Sequence, residues 1–133
     1  MGGAVSDSSR RRKTILIAED DKAIRTMLER ALGQQYDIVL AEDGNAALAK
    51  VAGAVRPDLL MLDVMMPGLD GLSVAAKAKA QPALKRVPVI FITARTTPMD
   101  IVKGINAGAR HYITKPFKIA DVLSKVKKAL GDE

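Results

Sequence analysis

Beyond residue 13 the chain alternates between two hydrophobic patterns. Uninterrupted apolar runs stand at Ile15–Ala18, Ile38–Ala41, Leu59–Leu62, Val89–Ile92 and Tyr112–Ile113. They do not alternate with polar residues, so they read as strands covered on both faces, as in a parallel sheet. Between them lie segments of helical spacing. Ile24, Met27, Leu28, Ala31 and Leu32 form one apolar stripe, and Ile119, Val122, Leu123, Val126 and Leu130 form another. The punctuation agrees with these elements. Gly33 closes the first helical segment, Asp43-Gly44 turns into the second, and Arg56-Pro57 leads into the third strand. Pro67-Gly68 loops toward Asp70, a predicted N-cap. Thr97-Pro98 opens a fourth helix, and Gly108 suits its C-terminal left-handed position. Five strand–helix pairs in succession predict an α/β fold, a doubly wound five-stranded parallel sheet with five helices, because parallel neighbours need crossover connections.

Chemistry is concentrated where the strands end. Glu19, Asp20 and Asp21 follow the first run, Asp63 the third and Lys115 the fifth, while Thr93 ends the fourth. Open α/β sheets bind ligands beyond the carboxyl ends of their strands, near the point where the strand order reverses. With the order 2-1-3-4-5, Glu19, Asp20 and Asp63 converge on one edge of a cleft, with Thr93 and Lys115 on the strands beyond. Clustered carboxylates repel one another and shift their pKa values upward unless a cation sits between them. An all-oxygen set with few side chains is what Mg²⁺ accepts, along with waters and phosphate oxygens. A lysine and a hydroxyl opposite suit the remaining oxygens of a phosphoryl group. Each position alone has a plainer reading: helix cap, loop acid, strand-end hydroxyl or surface charge. Their joint occurrence at the same ends of four strands carries the functional one.

Composition narrows the class. A length of 133 residues fits one domain, and 48% hydrophobic with 27% charged residues is ordinary for a globular chain. There is no cysteine to build a disulfide framework, which fits a reducing compartment, and cytoplasmic localisation is expected. No apolar run approaches the roughly 18 residues of a membrane span, and the first residues lack a signal-peptide core. Of the net charge of +6, Arg10–Lys13 less Asp7 supplies half, so residues 1–13 read as a disordered basic leader. The remaining +3, with 3% aromatic residues and no Trp, is a weak footprint for nucleic acid, and no DNA binding is expected.

With these residues in place, the stretch from Thr14 to Leu130 closely resembles the receiver domains of two-component response regulators, the CheY-like family. The resemblance makes 14–130 the receiver domain and 131–133 a tail. It makes Asp63, within Leu60-Met61-Leu62-Asp63-Val64-Met65-Met66-Pro67-Gly68, the phosphoacceptor. Glu19 and Asp20 match the acidic pair that holds Mg²⁺ (or Mn²⁺), joined by Asp63 and the backbone carbonyl of Met65. Thr93 and Lys115 match the hydroxyl and lysine that contact the phosphoryl group. Lys115-Pro116 carries the family's Lys-Pro step, where a cis peptide is expected.

The resemblance also implies a reaction and a switch. A histidine kinase or histidine phosphotransfer protein presents a phosphohistidine, and Asp63 attacks its phosphorus in line. Thr93 and Tyr112 form the switch, changing a protein-binding surface on the fourth predicted helix, the fifth strand and the fifth helix for a downstream protein target. Met65 and Arg95 stand where the family tunes dephosphorylation. The run Ala109-Arg110-His111-Tyr112 lacks the acidic pair common in regulators that dimerise through this face, so a monomer or weak phosphorylation-dependent dimer is expected. His111, the chain's one histidine, lies in the fifth strand region and reads as an ordinary surface or strand residue. A self-contained phosphorylation-controlled binding module is the leading reading, and a receiver from a longer regulator is the second. An aspartyl-phosphate phosphatase is disfavoured because Met65 stands where such enzymes carry a second Asp, and a nucleotide-binding role is weaker still because no Gly-x-x-x-x-Gly-Lys-Ser/Thr loop exists.

Overall fold

The structure, a computed structural model, describes residues 12–94 and 109–132. Five parallel strands, β1 (Thr14–Ala18), β2 (Asp37–Ala41), β3 (Leu59–Asp63), β4 (Val89–Thr93) and β5 (Ala109–Thr114), form one sheet in the order β2-β1-β3-β4-β5. Helices α1 (Lys22–Leu32), α2 (Gly44–Ala52) and α3 (Gly71–Lys79) come after the first three strands. A 3₁₀ turn (Pro82–Leu84) precedes β4, and α4 (Ile119–Leu130) comes after β5. This α4 is the fifth of the helices expected from the sequence. The helix predicted between Thr97 and Gly108, together with Arg95, lies outside the described residues.

The apolar runs become doubly covered strands because alternate side chains supply two different cores. Leu16, Leu60, Leu62 and Phe91 pack with Ala47, Val51, Val74, Ala75 and Ala78 of α2 and α3. Ile15, Ile17, Met61, Ile90 and Ile92 pack on the other face with Leu28, Leu32, Val122 and Val126 of α1 and α4. Each fully buried Leu or Ile contributes about 1.5–3 kcal/mol by leaving water, so both faces are firmly specified. The edge strands differ, as edges do. In β5, Arg110 and Thr114 are exposed while Ile113 is buried, so the element runs past its two-residue apolar run on alternation alone.

Two details depart from the sequence expectation. Met27, placed in the apolar stripe of α1, is 39% exposed, because Leu28 and Leu32 fill the interface and Met27 falls at its border. Arg12 and Lys13, the end of the basic run, stay partly solvated but are bonded to the body. Arg12 donates to the carbonyls of Gly33 and Tyr36 and pairs with Asp37, while Lys13 Nζ donates to Leu130 O at 2.7 Å.

Three aspartates start three helices. Asp21, Asp43 and Asp70 accept from the backbone N–H of Ile24, Ala46 and Ser73 at 3.1, 2.7 and 2.7 Å. Such caps satisfy donors that the first turn leaves unpaired, typically worth about 1 kcal/mol each.

Candidate functional site

The strand ladder runs slightly beyond the strands and fixes the residues just past them. Glu19 N–H donates to Ala41 O at 3.1 Å, Val64 N–H to Ile92 O at 2.9 Å and Lys115 N–H to Thr93 O at 2.9 Å. The carboxyl end of β1 is thereby tied to that of β2, β3 to β4 and β4 to β5, and the pairing of Ala18 with Leu62 joins β1 to β3. Glu19, Asp63 and Thr93 are buried there, with exposures of 0, 2 and 0%, while Asp20 is exposed.

Lys115 draws the acids together. Its Nζ lies 2.7 Å from Glu19 Oε1 and 3.0 Å from Asp63 Oδ2. The second oxygen of Asp63 accepts the Met65 N–H at 3.0 Å, and Glu19 Oε2 accepts the Asp21 N–H at 3.0 Å. One carboxylate oxygen from each of Glu19, Asp20 and Asp63 falls within 4.8 Å of the others. Lys115-Pro116 is cis.

The electrostatics come from this burial. Removal from water pushes the Glu19 carboxyl up to about 7, and Asp63 adds to the rise, while the Lys115 ammonium and the Asp21 N–H oppose it. For Lys115, burial works against the charged form, yet the Glu19 and Asp63 carboxylates prevail and its pKa is raised. Glu19 Oε1, though in ionic contact with Lys115, is buried and accepts no directed hydrogen bond. The all-oxygen donor set of Glu19, Asp20 and Asp63, with that buried Glu19 carboxylate among it, fits a hard divalent cation such as Mg²⁺.

The structure gathers most of the site residues read from the sequence. Glu19, Asp20, Asp63 and Lys115 share the pit, Thr93 ends the neighbouring strand, and Met65 lies beside Asp63 with its side chain half-exposed. Tyr112 lies on β5 with its ring 5.7 Å from that of Phe91. Asp21, grouped with the acidic run, is a helix cap, and His111 is a half-buried strand residue as expected.

Two contributors escape a reading by residue type. Gly71, the first residue of α3, lies against the end of β3, where a Cβ would fall on the Asp63 carbonyl. Arg25, one turn into α1, donates through Nη1 to the carbonyls of Glu19 and Asp20 at 2.8 and 3.0 Å. Its spacing, four residues past a capping Asp, is the signal that could have found it.

Residues 15–127 match the family model described as "Response regulator receiver domain". Among curated proteins, the chain is 38% identical over 120 residues to DNA-binding response regulator MtrA of Mycobacterium tuberculosis, covering 90% of this chain and 51% of that protein. It is 40% identical over 119 residues to the alkaline phosphatase synthesis transcriptional regulatory protein PhoP of Bacillus subtilis, covering 89% and 48%. The chain therefore spans about half the length of these relatives. Among solved structures, chemotaxis protein CheY4 of Vibrio cholerae superposes with a TM-score of 0.85 at 30% identity, covering 90% of this chain and 99% of that one. The receiver domain of sensor histidine kinase PA1611 from Pseudomonas aeruginosa PAO1, with magnesium ion coordinated in its active site cleft, superposes with a TM-score of 0.81 at 31% identity, covering 90% and 98%.

Proposed function

The chain belongs to the response regulator receiver domain family, and we propose that Asp63 is its phosphoacceptor, taking a phosphoryl group from a phosphohistidine of a histidine kinase or phosphotransfer protein. The observation that carries this is the pit itself: a buried carboxylate at the end of β3, 3.0 Å from a lysine and flanked by two further acids. A freely solvated aspartate is a poor and unselective nucleophile. A carboxylate fixed by Met65 N–H and Lys115 is already oriented, and orientation with charge neutralisation supplies most of the catalysis in phosphoryl transfer.

One Asp63 carboxylate oxygen attacks phosphorus in line. The P–O bond forms as the P–N bond breaks, and its electron pair returns to the donor imidazole. Lys115 offsets the charge gathering on the phosphoryl oxygens, and the Thr93 hydroxyl serves as a second donor to them. Glu19, Asp20, Asp63 and the Met65 carbonyl would hold Mg²⁺ (or Mn²⁺), which when bound supplies positive charge between the carboxylates and the incoming anion. The chain takes up and loses the group without turning over a separate substrate.

The switch rests on Thr93 and Tyr112. New acceptor oxygens on Asp63 draw the Thr93 hydroxyl, and Tyr112, packed on Phe91 of the adjacent strand, responds to that shift at the edge of the sheet. The surface around β5 and α4 then changes for a downstream protein in the cytoplasm. Met65 and Arg95 are proposed to set how long the phosphoryl group survives.

Incubation with labelled acetyl phosphate and Mg²⁺ tests the acceptor. Wild type takes up acid-stable, base-labile label, and Asp63→Asn takes up none. Undiminished labelling of Asp63→Asn would overturn the assignment.

A further inference from the structure

We infer that Arg25 is a positioning residue for the acidic pair, fixing the backbone that aims Glu19 and Asp20 into the pit; the inference rests on the phosphoacceptor reading and deepens it. One residue accounts for three consecutive carbonyls. Arg25 Nη1 donates to Glu19 O at 2.8 Å and Asp20 O at 3.0 Å, while its own backbone N–H donates to Asp21 O at 3.0 Å. The whole Glu19-Asp20-Asp21 backbone is thus tied to a single point one turn into α1.

The consequence comes from the planarity of the peptide unit. The plane that carries Asp20 O also carries Asp21 N–H, which donates to Glu19 Oε2 at 3.0 Å. Holding that carbonyl against Arg25 therefore holds the amide that orients the buried Glu19 carboxylate. Without the anchor, repulsion among Glu19, Asp20 and Asp63 has a cheap outlet, because rotating the 20–21 peptide releases the Glu19 carboxylate from the Asp21 N–H.

The location of the charge matters as well. Among the described residues, the Arg25 guanidinium is bonded to carbonyls and paired with no carboxylate. It therefore orders the acids without occupying the oxygens a cation would use. Outer partners that orient ligands in this way typically contribute about 10–100-fold to metal affinity.

Arg25→Met and Arg25→Lys test this, since Arg, Met and Lys have similar helix propensities and α1 should persist. The readouts are Mg²⁺ titration by calorimetry and amide hydrogen exchange at Asp21 in metal-free protein. Arg25→Met should weaken Mg²⁺ binding about tenfold or more and speed Asp21 exchange, while the urea midpoint stays near wild type. Arg25→Lys, whose ammonium can reach one carbonyl, should recover part of both. Wild-type affinity and wild-type Asp21 exchange in Arg25→Met would overturn the inference. Should Arg25→Met not fold, Arg25→Lys decides alone: intermediate values support the inference, and unchanged ones overturn it. Wild type that neither binds Mg²⁺ nor takes label would instead overturn the phosphoacceptor reading, leaving Asp21 exchange to decide the role of Arg25.

Discussion

At the scale of single residues, the molecule places titratable groups in contrasting surroundings. Glu19 and Asp63 are buried acids relieved by one lysine, whereas His111 on β5 is a base among cations. Burial first, then Lys125, Lys128 and Arg110, hold the His111 pKa below its usual value, with Asp121 pulling weakly the other way. This sets the sign of its effect on stability. The unfolded chain binds a proton at the ordinary histidine pKa of about 6.5, while the folded chain resists it to lower pH. Unfolding therefore takes up a proton in that window, and stability falls as pH drops through about 6.5. His111→Gln should flatten this part of the profile. Urea midpoints at pH 5.5 and 7.5 check it: the wild-type minus mutant difference should favour wild type more at pH 7.5. An identical difference at both values would show that His111 does not titrate differently on folding. The candidate site was legible at this scale because it is made of residue types: acids, a lysine and a hydroxyl at strand ends. Arg25 was not, because its role is to bond backbone carbonyls, which residue type does not announce.

At the scale of elements, helix starts determine where the chemistry sits. The hydrophobic pattern located β1 to β4 closely because each is a full apolar run. It foreshortened β5, where an edge strand needs only alternate burial. The cap at Asp70 was legible from turn residues and Asp43-Gly44 only as the turn into α2, whereas Asp21 was hidden among neighbouring acids and resolves as a cap only through its bond to Ile24 N–H. Gly71 was invisible for a different reason. Its requirement is an absence of atoms, since a Cβ there would meet Asp63 O and the Val64 backbone. Gly71→Ala should therefore push α3 and the end of β3 apart, costing about 1–3 kcal/mol as overpacking does, and should slow labelling of Asp63 by acetyl phosphate. Denaturant midpoints and labelling rates measured together separate a general loss of stability from displacement of the acceptor.

At the scale of the whole molecule, the two described ends of the chain meet on the side of the sheet away from the pit, at the amino end of β1 and the carboxyl end of α4. Lys13 Nζ donates to Leu130 O at 2.7 Å and to Asp132 Oδ1 at 2.9 Å. Asp132 Oδ2 accepts the Tyr36 hydroxyl at 3.3 Å, and burial with the nearby Asp132 charge raises the Tyr36 pKa. The last turn of α4 closes on Gly131 at φ 71°, with Asp132 N–H returning to Lys127 O at 2.9 Å. Lys13 thus adds to the helix end a donor that local sequence could not supply, from more than a hundred residues away. The charges are partly solvated, with side chains 40 and 32% exposed, so the ion pair itself is worth well under about 1 kcal/mol. Its larger effect is local: it ties the end of α4 to β1, and through Tyr36 to the segment before β2. Lys13→Met should leave the global unfolding midpoint nearly unchanged while accelerating amide exchange at Leu130, Gly131 and Asp132, because opening there no longer breaks a contact to β1. Exchange identical to wild type at those amides would mean that the Gly131 closure alone holds the helix end. Equal acceleration throughout α4 would mean that the contact supports the fold as a whole rather than its last turn.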